Sequence, residues 1–130
     1  MPITAETKNN IFSLLKKVME ESCPPLVITK NSKEGIEVIG NIPTPYGSKK
    51  VMVPGMYFAS ALIRKDNVSF YFFPIYYHEK DFEKLIPTLL KCLDGKTCFH
   101  FKKEEQAVEK EIKAMFKKGI EMYRKQGWVK

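Results

Sequence analysis

Residues 56–77 read MYFASALIRKDNVSFYFFPIYY, and this stretch decides the fold class. Small and large side chains alternate from Met56 to Arg64, which predicts a strand. Lys65–Asn67 then predicts a tight hairpin connection, and Val68–Tyr77 predicts the returning strand. Because apolar or aromatic side chains occupy both faces of that second strand, we expect it at the centre of a sheet, covered on both sides or with one face forming a cleft. Pro74 marks a bulge or the free end of the strand.

A first hairpin is predicted upstream of this stretch. Leu26–Lys30 and Gly35–Gly40 are β-branched runs separated by residues of turn composition. Asn41–Gly47 contains two prolines and a glycine, which predicts an ordered surface loop rather than a binding loop. Lys50–Val53 predicts one more short strand, which ends at the turn formed by Pro54-Gly55.

Apolar residues at three- and four-residue spacing predict helices before and after these strands. Thr4–Ser22 forms the first helix, with its leading threonine as the cap. His78–Gly95 forms the second helix, with the closing glycine just past its end, and Pro87 either kinks this helix or opens a second short helix at its first turn. A short strand at Thr97–Lys102 and a long helix at Glu104–Lys125 follow.

These elements predict an α+β fold, in which an antiparallel sheet of five or six strands is packed by an N-terminal helix and C-terminal helices. A length of 130 residues fits one domain, residues 1–130, and an apolar share of 44% excludes wholesale disorder. No run approaches the roughly 18 apolar residues that a membrane span requires. The start lacks the features of a secretory signal, and the three cysteines are an odd count. We therefore expect reduced thiols and a cytoplasmic protein.

The charge of the chain is strongly positive. Lys and Arg number 22 against 15 Asp and Glu, and the resulting net charge of +7 favours anionic partners. Arg64 and Arg124 are the only arginines, whereas nucleic-acid readers usually use arginine for bidentate contacts. The lysines occur in pairs along the chain, which is typical of a solvated surface. The composition therefore argues against a nucleic-acid partner, and we expect no membrane partner.

Thiol and imidazole groups raise the question of a metal site or a nucleophile. Cys92, Cys98 and His100 have the spacing Cys-x5-Cys-x-His, which matches no zinc pattern, and Lys102 shares the face of the predicted strand. We therefore predict no metal site and no cofactor. A pair of Cys98 with His78 or His100 lacks an orienting Asn or Asp in an identifiable motif. The sequence also lacks a nucleophile elbow, a P-loop and a dinucleotide fingerprint, so catalysis is left open but not predicted.

Aromatic side chains are concentrated in the two strands predicted within residues 56–77. They indicate either the core between the sheet and the helices or a ligand pocket, since small-molecule sites are usually apolar concavities with a few polar groups. Tyrosines at a strand end beside cations would orient an anionic aromatic ligand. The candidate ligand-binding residues are Lys49, Lys50, Tyr57, Arg64, Tyr71, Tyr77 and His78.

From about Lys50 onward the chain resembles the YdhG-like family, the domain of unknown function 1801. Three segments in the same order carry the resemblance, Gly55–Ala59, Ala61–Phe72 and Leu93–Phe101, and the Glu/Lys-rich helix Glu104–Lys125 follows them. The resemblance implies an α+β domain with an antiparallel sheet flanked by helices, in a layout similar to that of frataxin. One branch of the family is regarded as a frataxin-like intracellular iron chaperone. The resemblance implies no catalytic residue.

The sequence therefore predicts a non-catalytic binding or accessory protein that binds a small anionic ligand or a protein partner. An iron chaperone is the alternative, although iron delivery favours hard oxygen ligands and lysines are interleaved with the glutamates of the first helix. An enzyme with an unrecognised site is the third hypothesis. We expect a monomer or a homodimer, and Trp128 or the edge strand of the sheet would mediate the dimer.

Overall fold

The computed structural model describes residues 3–77 and 79–130, without the side chain of Tyr77. It confirms the predicted α+β class. The helical elements are α1 (Ala5–Glu21), α2 (Pro74–Tyr77), α3 (Glu79–Glu83), α4 (Glu109–Gln126) and two 3₁₀ turns, Leu89–Cys92 and Glu104–Gln106. The strands are β1 (Val27–Asn31), β2 (Gly35–Ile39), β3 (Thr44–Tyr46), β4 (Val51–Val53), β5 (Tyr57–Ile63), β6 (Val68–Phe72), β7 (Leu93–Asp94) and β8 (Cys98–Phe101).

Six strands form one antiparallel sheet in the order β1-β2-β5-β6-β8-β7. β5 and β6 are its two central strands, which confirms the central position predicted for the second of them, and Arg64 N donates to Asn67 O at 2.8 Å in the connection between them. The first predicted hairpin is also confirmed, as β1 and β2. Antiparallel neighbours joined by short connections explain why local sequence patterns located these strands.

Helix α1 covers one face of the sheet and follows the predicted stripe. The Thr4 hydroxyl accepts a hydrogen bond from Thr7 N at 3.1 Å and so caps the helix. Its apolar face is directed into the core, where Leu15 and Met19 are fully buried. The helix ends at Glu21, before the two prolines that cannot extend it.

Aromatic rings fill the space between the sheet and α4. Phe70 of β6 stacks on Phe116 of α4, with ring centroids 6.0 Å apart and planes 11° apart. Gly119 gives α4 its close approach, because an added Cβ would lie 2.9 Å from the ring of Phe58 and 3.0 Å from that of Phe72. The fully buried aromatic residues are Phe58, Phe70, Phe72, Phe82, Phe99, Phe101, Phe116 and Tyr123. For the three of these residues that belong to the stretch 56–77, Phe58, Phe70 and Phe72, the core interpretation is therefore correct and the pocket interpretation is wrong.

The strand predicted at Val68–Tyr77 is shorter in the structure. β6 ends at Phe72, and Pro74 opens the short helix α2 instead of lying within a strand. Proline fits the first position of a helix because the amide it lacks would have no helical partner there. Phe72 and Ile75 are consequently both buried although they are three residues apart, whereas Tyr76, which an extended strand would place on the face of Phe72, is half exposed.

The loop predicted at Asn41–Gly47 contains a strand. β3 pairs with β4 in a separate two-stranded antiparallel sheet, with Thr44 opposite Val53 and Pro45 opposite Met52. Both members of a two-stranded sheet are edge strands, and an edge strand tolerates a proline. β4, which was predicted as a strand, therefore belongs to this hairpin and not to the main sheet.

The second predicted helix is divided into short pieces. α3 ends at Glu83, and Pro87 separates it from the 3₁₀ turn Leu89–Cys92. A carboxylate oxygen of Glu111 accepts hydrogen bonds from the backbone amides of Thr88 and Leu89, at 2.9 and 3.0 Å, and so caps that turn. The predicted closing segment Asp94-Gly95 is instead the end of β7 and the turn to β8, with Gly95 at φ 84°.

The C-terminal helix and tail are packed on the body. α4 begins at Glu109 rather than Glu104, because residues Glu104–Gln106 form a separate 3₁₀ turn. The side chain of Gln106 accepts hydrogen bonds from the backbone amides of Lys102 and Lys103 and so holds that turn. Within α4 the side chains of Glu109 and Lys113 form an ion pair one turn apart, with Oε2 and Nζ 3.1 Å from each other. Trp128 lies edge-on to Tyr123, with ring centroids 5.0 Å apart, so the tail is part of the fold.

Candidate functional site

The face of the sheet opposite α1 and α4 carries a row of polar side chains, which we call the open face. Cα pairing places Glu37 opposite Ser60, Ser60 opposite Tyr71, and Tyr71 opposite Cys98. Directly opposed residues lie on the same side of a sheet, so these four side chains share one surface. All four are partly exposed, whereas their neighbours Val38, Ala61, Phe70 and Phe99 are buried on the other side.

Three separate groups of hydrogen bonds fix side chains of the open face. The hydroxyl of Thr29 donates to Glu37 Oε2 at 2.7 Å, and the hydroxyls of Tyr57 and Ser60 bond to each other. Nη2 of Arg64 donates to the Tyr71 hydroxyl at 3.2 Å. Tyr71 also bonds to the thiol of Cys98. A guanidinium, a carboxylate and two phenols are thereby fixed on one surface.

A cavity of about 480 Å³ adjoins the open face, between the main sheet and the β3–β4 hairpin. This size is within the usual range of ligand sites, about 300–1,000 Å³. We call it the hairpin cavity. Its lining residues are Thr29, Glu37, Ile39 and Tyr57 of the sheet and Tyr46, Val53, Pro54 and Gly55 of the hairpin and its exit.

Backbone contact fixes the hairpin beside the sheet. Gly40 N donates to Met56 O at 2.8 Å, which brings together the two ends of the segment that contains β3 and β4. At Gly55 an added Cβ would overlap the carbonyl of Gly40, so only glycine permits this approach. Pro54-Gly55 was predicted as a turn, and in the structure it is also one wall of the hairpin cavity.

Burial controls the ionisation of the open face. Burial, with a smaller contribution from the nearby carboxylate of Glu37, raises the pKa of Tyr57 to about 12, while the hydrogen bond with Ser60 acts in the opposite direction. Burial also raises the pKa of the Cys98 thiol, against the lowering effects of the Tyr71 hydrogen bond and the Arg64 charge. At neutral pH Tyr57 is therefore a neutral phenol and Cys98 a thiol.

The structure brings together three of the predicted ligand-binding residues. Tyr57, Arg64 and Tyr71 all belong to the hydrogen-bonded open face. Lys49 and Lys50 lie at the exposed turn between β3 and β4, with Lys50 at φ 51°, and they do not line the hairpin cavity. The side chain of Tyr77 and the whole of His78 lie outside the described residues.

Sequence patterns missed the carboxylate and the small hydroxyl residues of the site. Glu37 is the one polar residue inside the apolar strand Gly35–Ile39, and that position is the signal that could have identified it. Thr29 and Ser60 carry no comparable signal, since small hydroxyl residues are common on solvated strand faces. Tyr46 was assigned to a loop, and only the tertiary position of the hairpin brings it to the cavity.

The structure orients one histidine but activates no nucleophile beside it. Nδ1 of His100 lies 3.3 Å from Oδ2 of Asp94, a partner that the sequence motifs did not reveal. Cys98 shares its strand face, but burial raises the pKa of that thiol, whereas a nucleophilic cysteine needs a lowered one. Ser69 pairs with His100 across the strands, but its hydroxyl donates to Asn67 Oδ1 at 2.7 Å. Among the described residues, His100 therefore has no activated thiol or hydroxyl beside it.

Within residues 3–77 and 79–130, no three His, Cys, Asp or Glu side chains are grouped so that they could hold a metal ion. None of the described helices has the length and apolar composition that crossing a bilayer requires.

Comparison with known proteins gave no match to a family model, to a curated protein or to a solved structure. A functional proposal for this protein therefore depends on the chemistry of the open face.

Proposed function

We propose that this protein is a non-catalytic binding module that holds a small organic anion on the open face of its sheet. The single observation that supports this most is the guanidinium of Arg64, which the Tyr71 hydroxyl holds over that face. One of five N–H donors of the guanidinium is used in that bond, so the rest of the fork is available to a carboxylate or phosphate.

The surroundings of Arg64 favour a ligand with an aromatic or apolar body. Tyr71 offers a partly exposed ring next to the guanidinium, and Leu62 on the same face is partly exposed as well. A net charge of +7 attracts anions toward the protein over long range. Lys49 and Lys50 contribute to that attraction from the hairpin turn.

Benzoate is a suitable probe because it combines one carboxylate with one ring. We expect saturable binding, followed by chemical-shift changes in the amides of β5 and β6. Arg64→Met should weaken binding about tenfold or more, since it removes a charge-assisted hydrogen-bond donor. Arg124→Met is the matched control, because Arg124 is the other arginine of the chain and lies on α4, and it should bind like the parent protein.

Two outcomes would refute the anion site. The first is an absence of saturable benzoate binding in the parent protein. The second is equal loss of affinity in the Arg64 and Arg124 variants, which would indicate non-specific attraction to a cationic protein.

A second copy of the chain is the second candidate partner, because the β3–β4 hairpin exposes apolar side chains. Tyr46, Val51 and Met52 are 49%, 62% and 60% exposed. Each strand of a two-stranded sheet has a free edge that can pair with another strand. Sedimentation over a range of concentrations tests this: a dimer that Val51→Lys dissociates supports it, and a monomer at every concentration contradicts it.

We also propose that this chain belongs to the YdhG-like family. This membership is supported by the position of the segments that carry the resemblance, since Gly55–Ala59 and Ala61–Phe72 contain β5 and β6, and Leu93–Phe101 contains β7 and β8. The iron-chaperone alternative would require a cluster of oxygen ligands, and no observation on the described residues favours one.

A further inference from the structure

We propose that the hairpin cavity is a separate subsite for an alkylammonium group, with Glu37 as its counter-ion and the rings of Tyr46 and Tyr57 as its walls. This subsite lies on the same face of the sheet as the proposed anion site, but it takes a ligand of the opposite charge and lies at the other end of that face.

The charge of the cavity lining is the first reason. Glu37 is the only charged residue among the eight that line the cavity. Its side chain is partly buried and accepts one hydrogen bond, from Thr29. An ionised carboxylate offers about four lone-pair sites, so it retains capacity for an ammonium donor or for a close cation.

The positions of the nearest cations are the second reason. Lys30 pairs with Glu37 at a bulge in β1, but Lys30 is exposed and lines a different, smaller cavity on the far side of Glu37. Lys49 and Lys50 are exposed at the hairpin turn and line neither cavity. The carboxylate of Glu37 is therefore not neutralised from within the hairpin cavity.

The aromatic walls are the third reason. A cation is attracted to the face of an aromatic ring, and the effect strengthens where water is excluded. Burial keeps Tyr57 neutral, its hydroxyl is held by Ser60, and its ring is edge-on to Phe73 with centroids 5.9 Å apart. Tyr46 stands on the hairpin opposite, and Val53, Pro54 and Ile39 supply apolar surface for alkyl substituents.

The probe is tetramethylammonium, titrated at constant ionic strength with sodium chloride as the reference salt. We expect saturable shifts of the amides around Glu37, Tyr46 and Tyr57. Glu37→Gln keeps the size of the side chain and removes its charge, so it should weaken binding about tenfold. Glu34→Gln is the matched control, because Glu34 is an exposed glutamate that does not line the cavity, and it should leave the affinity unchanged.

A second pair of variants separates the ring from the hydroxyl. Tyr46 is 49% exposed on the short hairpin, so its replacement should not unfold the protein. Tyr46→Ala should weaken tetramethylammonium binding severalfold, whereas Tyr46→Phe should retain it because the ring remains. Equal loss in both variants would contradict the aromatic wall.

The two proposals fail in distinguishable ways. Arg64→Met should weaken benzoate binding about tenfold or more and leave tetramethylammonium binding intact, whereas Glu37→Gln should weaken tetramethylammonium binding about tenfold and leave benzoate binding intact. No saturable tetramethylammonium binding, or binding that Glu37→Gln does not change, overturns the cation subsite. Benzoate binding in that case would leave the proposed anion site standing.

Discussion

Phe70 and Tyr71 are neighbours in β6, yet their side chains serve different parts of the molecule. Phe70 is fully buried and stacks on Phe116 of α4. Tyr71 is partly exposed on the open face, where it accepts a hydrogen bond from Arg64. The two-residue period of a strand thus divides one short sequence into a face that stabilises the fold and a face that is available for recognition.

The two faces also differ in how their aromatic groups are satisfied. On the helix-covered face the rings of β5, β6 and β8 are those of phenylalanine, which carries no polar atom that would need a partner in the core. On the open face Tyr57 and Tyr71 carry hydroxyls, and both hydroxyls are hydrogen-bonded to side chains. We therefore expect substitutions on the covered face to act on stability and substitutions on the open face to act on binding.

The largest expected contrast is between alanine variants of these two neighbours. Phe70→Ala leaves a cavity among closely packed rings and should lower the free energy of unfolding by about 3–5 kcal/mol. Tyr71→Ala removes a partly exposed ring and should cost about 1 kcal/mol. Urea denaturation of both variants measures the difference. Similar losses in the two variants would show that the open face is as important to the fold as the core.

A substitution at Gly119 measures how much the close approach of α4 to the helix-covered face contributes to stability. In Gly119→Ala the new Cβ would press on the rings of Phe58 and Phe72, and overpacking of this kind costs about 1–3 kcal/mol. Alanine is favoured over glycine within a helix by about 1 kcal/mol, so the net destabilisation should reach up to about 2 kcal/mol. A thermal melt measures it, with Ser13→Ala on the exposed side of α1 as the control. A stabilised Gly119→Ala variant would mean that the rings move aside freely.

Tyr57 on the open face should make the stability of the protein depend on pH. Its hydroxyl keeps its proton in both states below the ordinary pKa of 10.0, so its full contribution to stability is present there. Between pH 10 and about 12 the unfolded chain loses this proton while the folded protein retains it. The stability therefore falls with rising pH, by up to about 1.4 kcal/mol per pH unit from this group.

Denaturation of Tyr57→Phe at several pH values checks this expectation. The variant should lose less stability than the parent protein between pH 10 and 12. Tyr46→Phe, with an exposed ring, is the control and should follow the parent protein. Parallel curves for Tyr57→Phe and the parent would show that burial does not protect this hydroxyl.

The sequence was sufficient to predict the elements of the helix-covered face, because their side chains follow the simple patterns of strands and helices. Alternation of small and large side chains identified β5, the aromatic run after a tight connection identified β6 with Phe70 and Phe72, and three- and four-residue spacing identified the buried stripe of α1. The same method failed at Pro74–Tyr77, since a short apolar run is compatible with a strand or a helix and only the packed structure distinguishes them.

The candidate site was only partly predictable, for a related physical reason. Tyr57, Arg64 and Tyr71 were found because they lie on two adjacent strands joined by a short turn. Glu37 was missed, because a polar residue in a strand usually indicates nothing more than a solvated face. The hairpin cavity depends on the position of β3 and β4 beside the sheet, and no local period of the sequence encodes that position.

Tyr71→Phe should produce the smallest change in stability and the most specific chemical one. Arg64 is exposed and can exchange its bond for one with water, so the free energy of unfolding should change by about 0.5 kcal/mol or less. The thiol of Cys98 also loses its hydrogen bond, which opposes the effect of burial on its pKa. Without that bond the pKa of Cys98 rises further and the thiolate fraction falls.

Alkylation of Cys98 by iodoacetamide, followed by mass spectrometry of the modified peptide, measures this effect. The reaction at a fixed pH should be slower in Tyr71→Phe than in the parent protein, because the thiolate is the reacting form. Alkylation of Cys23, which is on the far side of the fold at the end of α1, should be unchanged and serves as the internal reference. An unchanged rate at Cys98 would mean that Tyr71 does not control this end of the open face. Arg64, whose charge also lowers the pKa of Cys98, would then be the group of the open face that acts on this thiol.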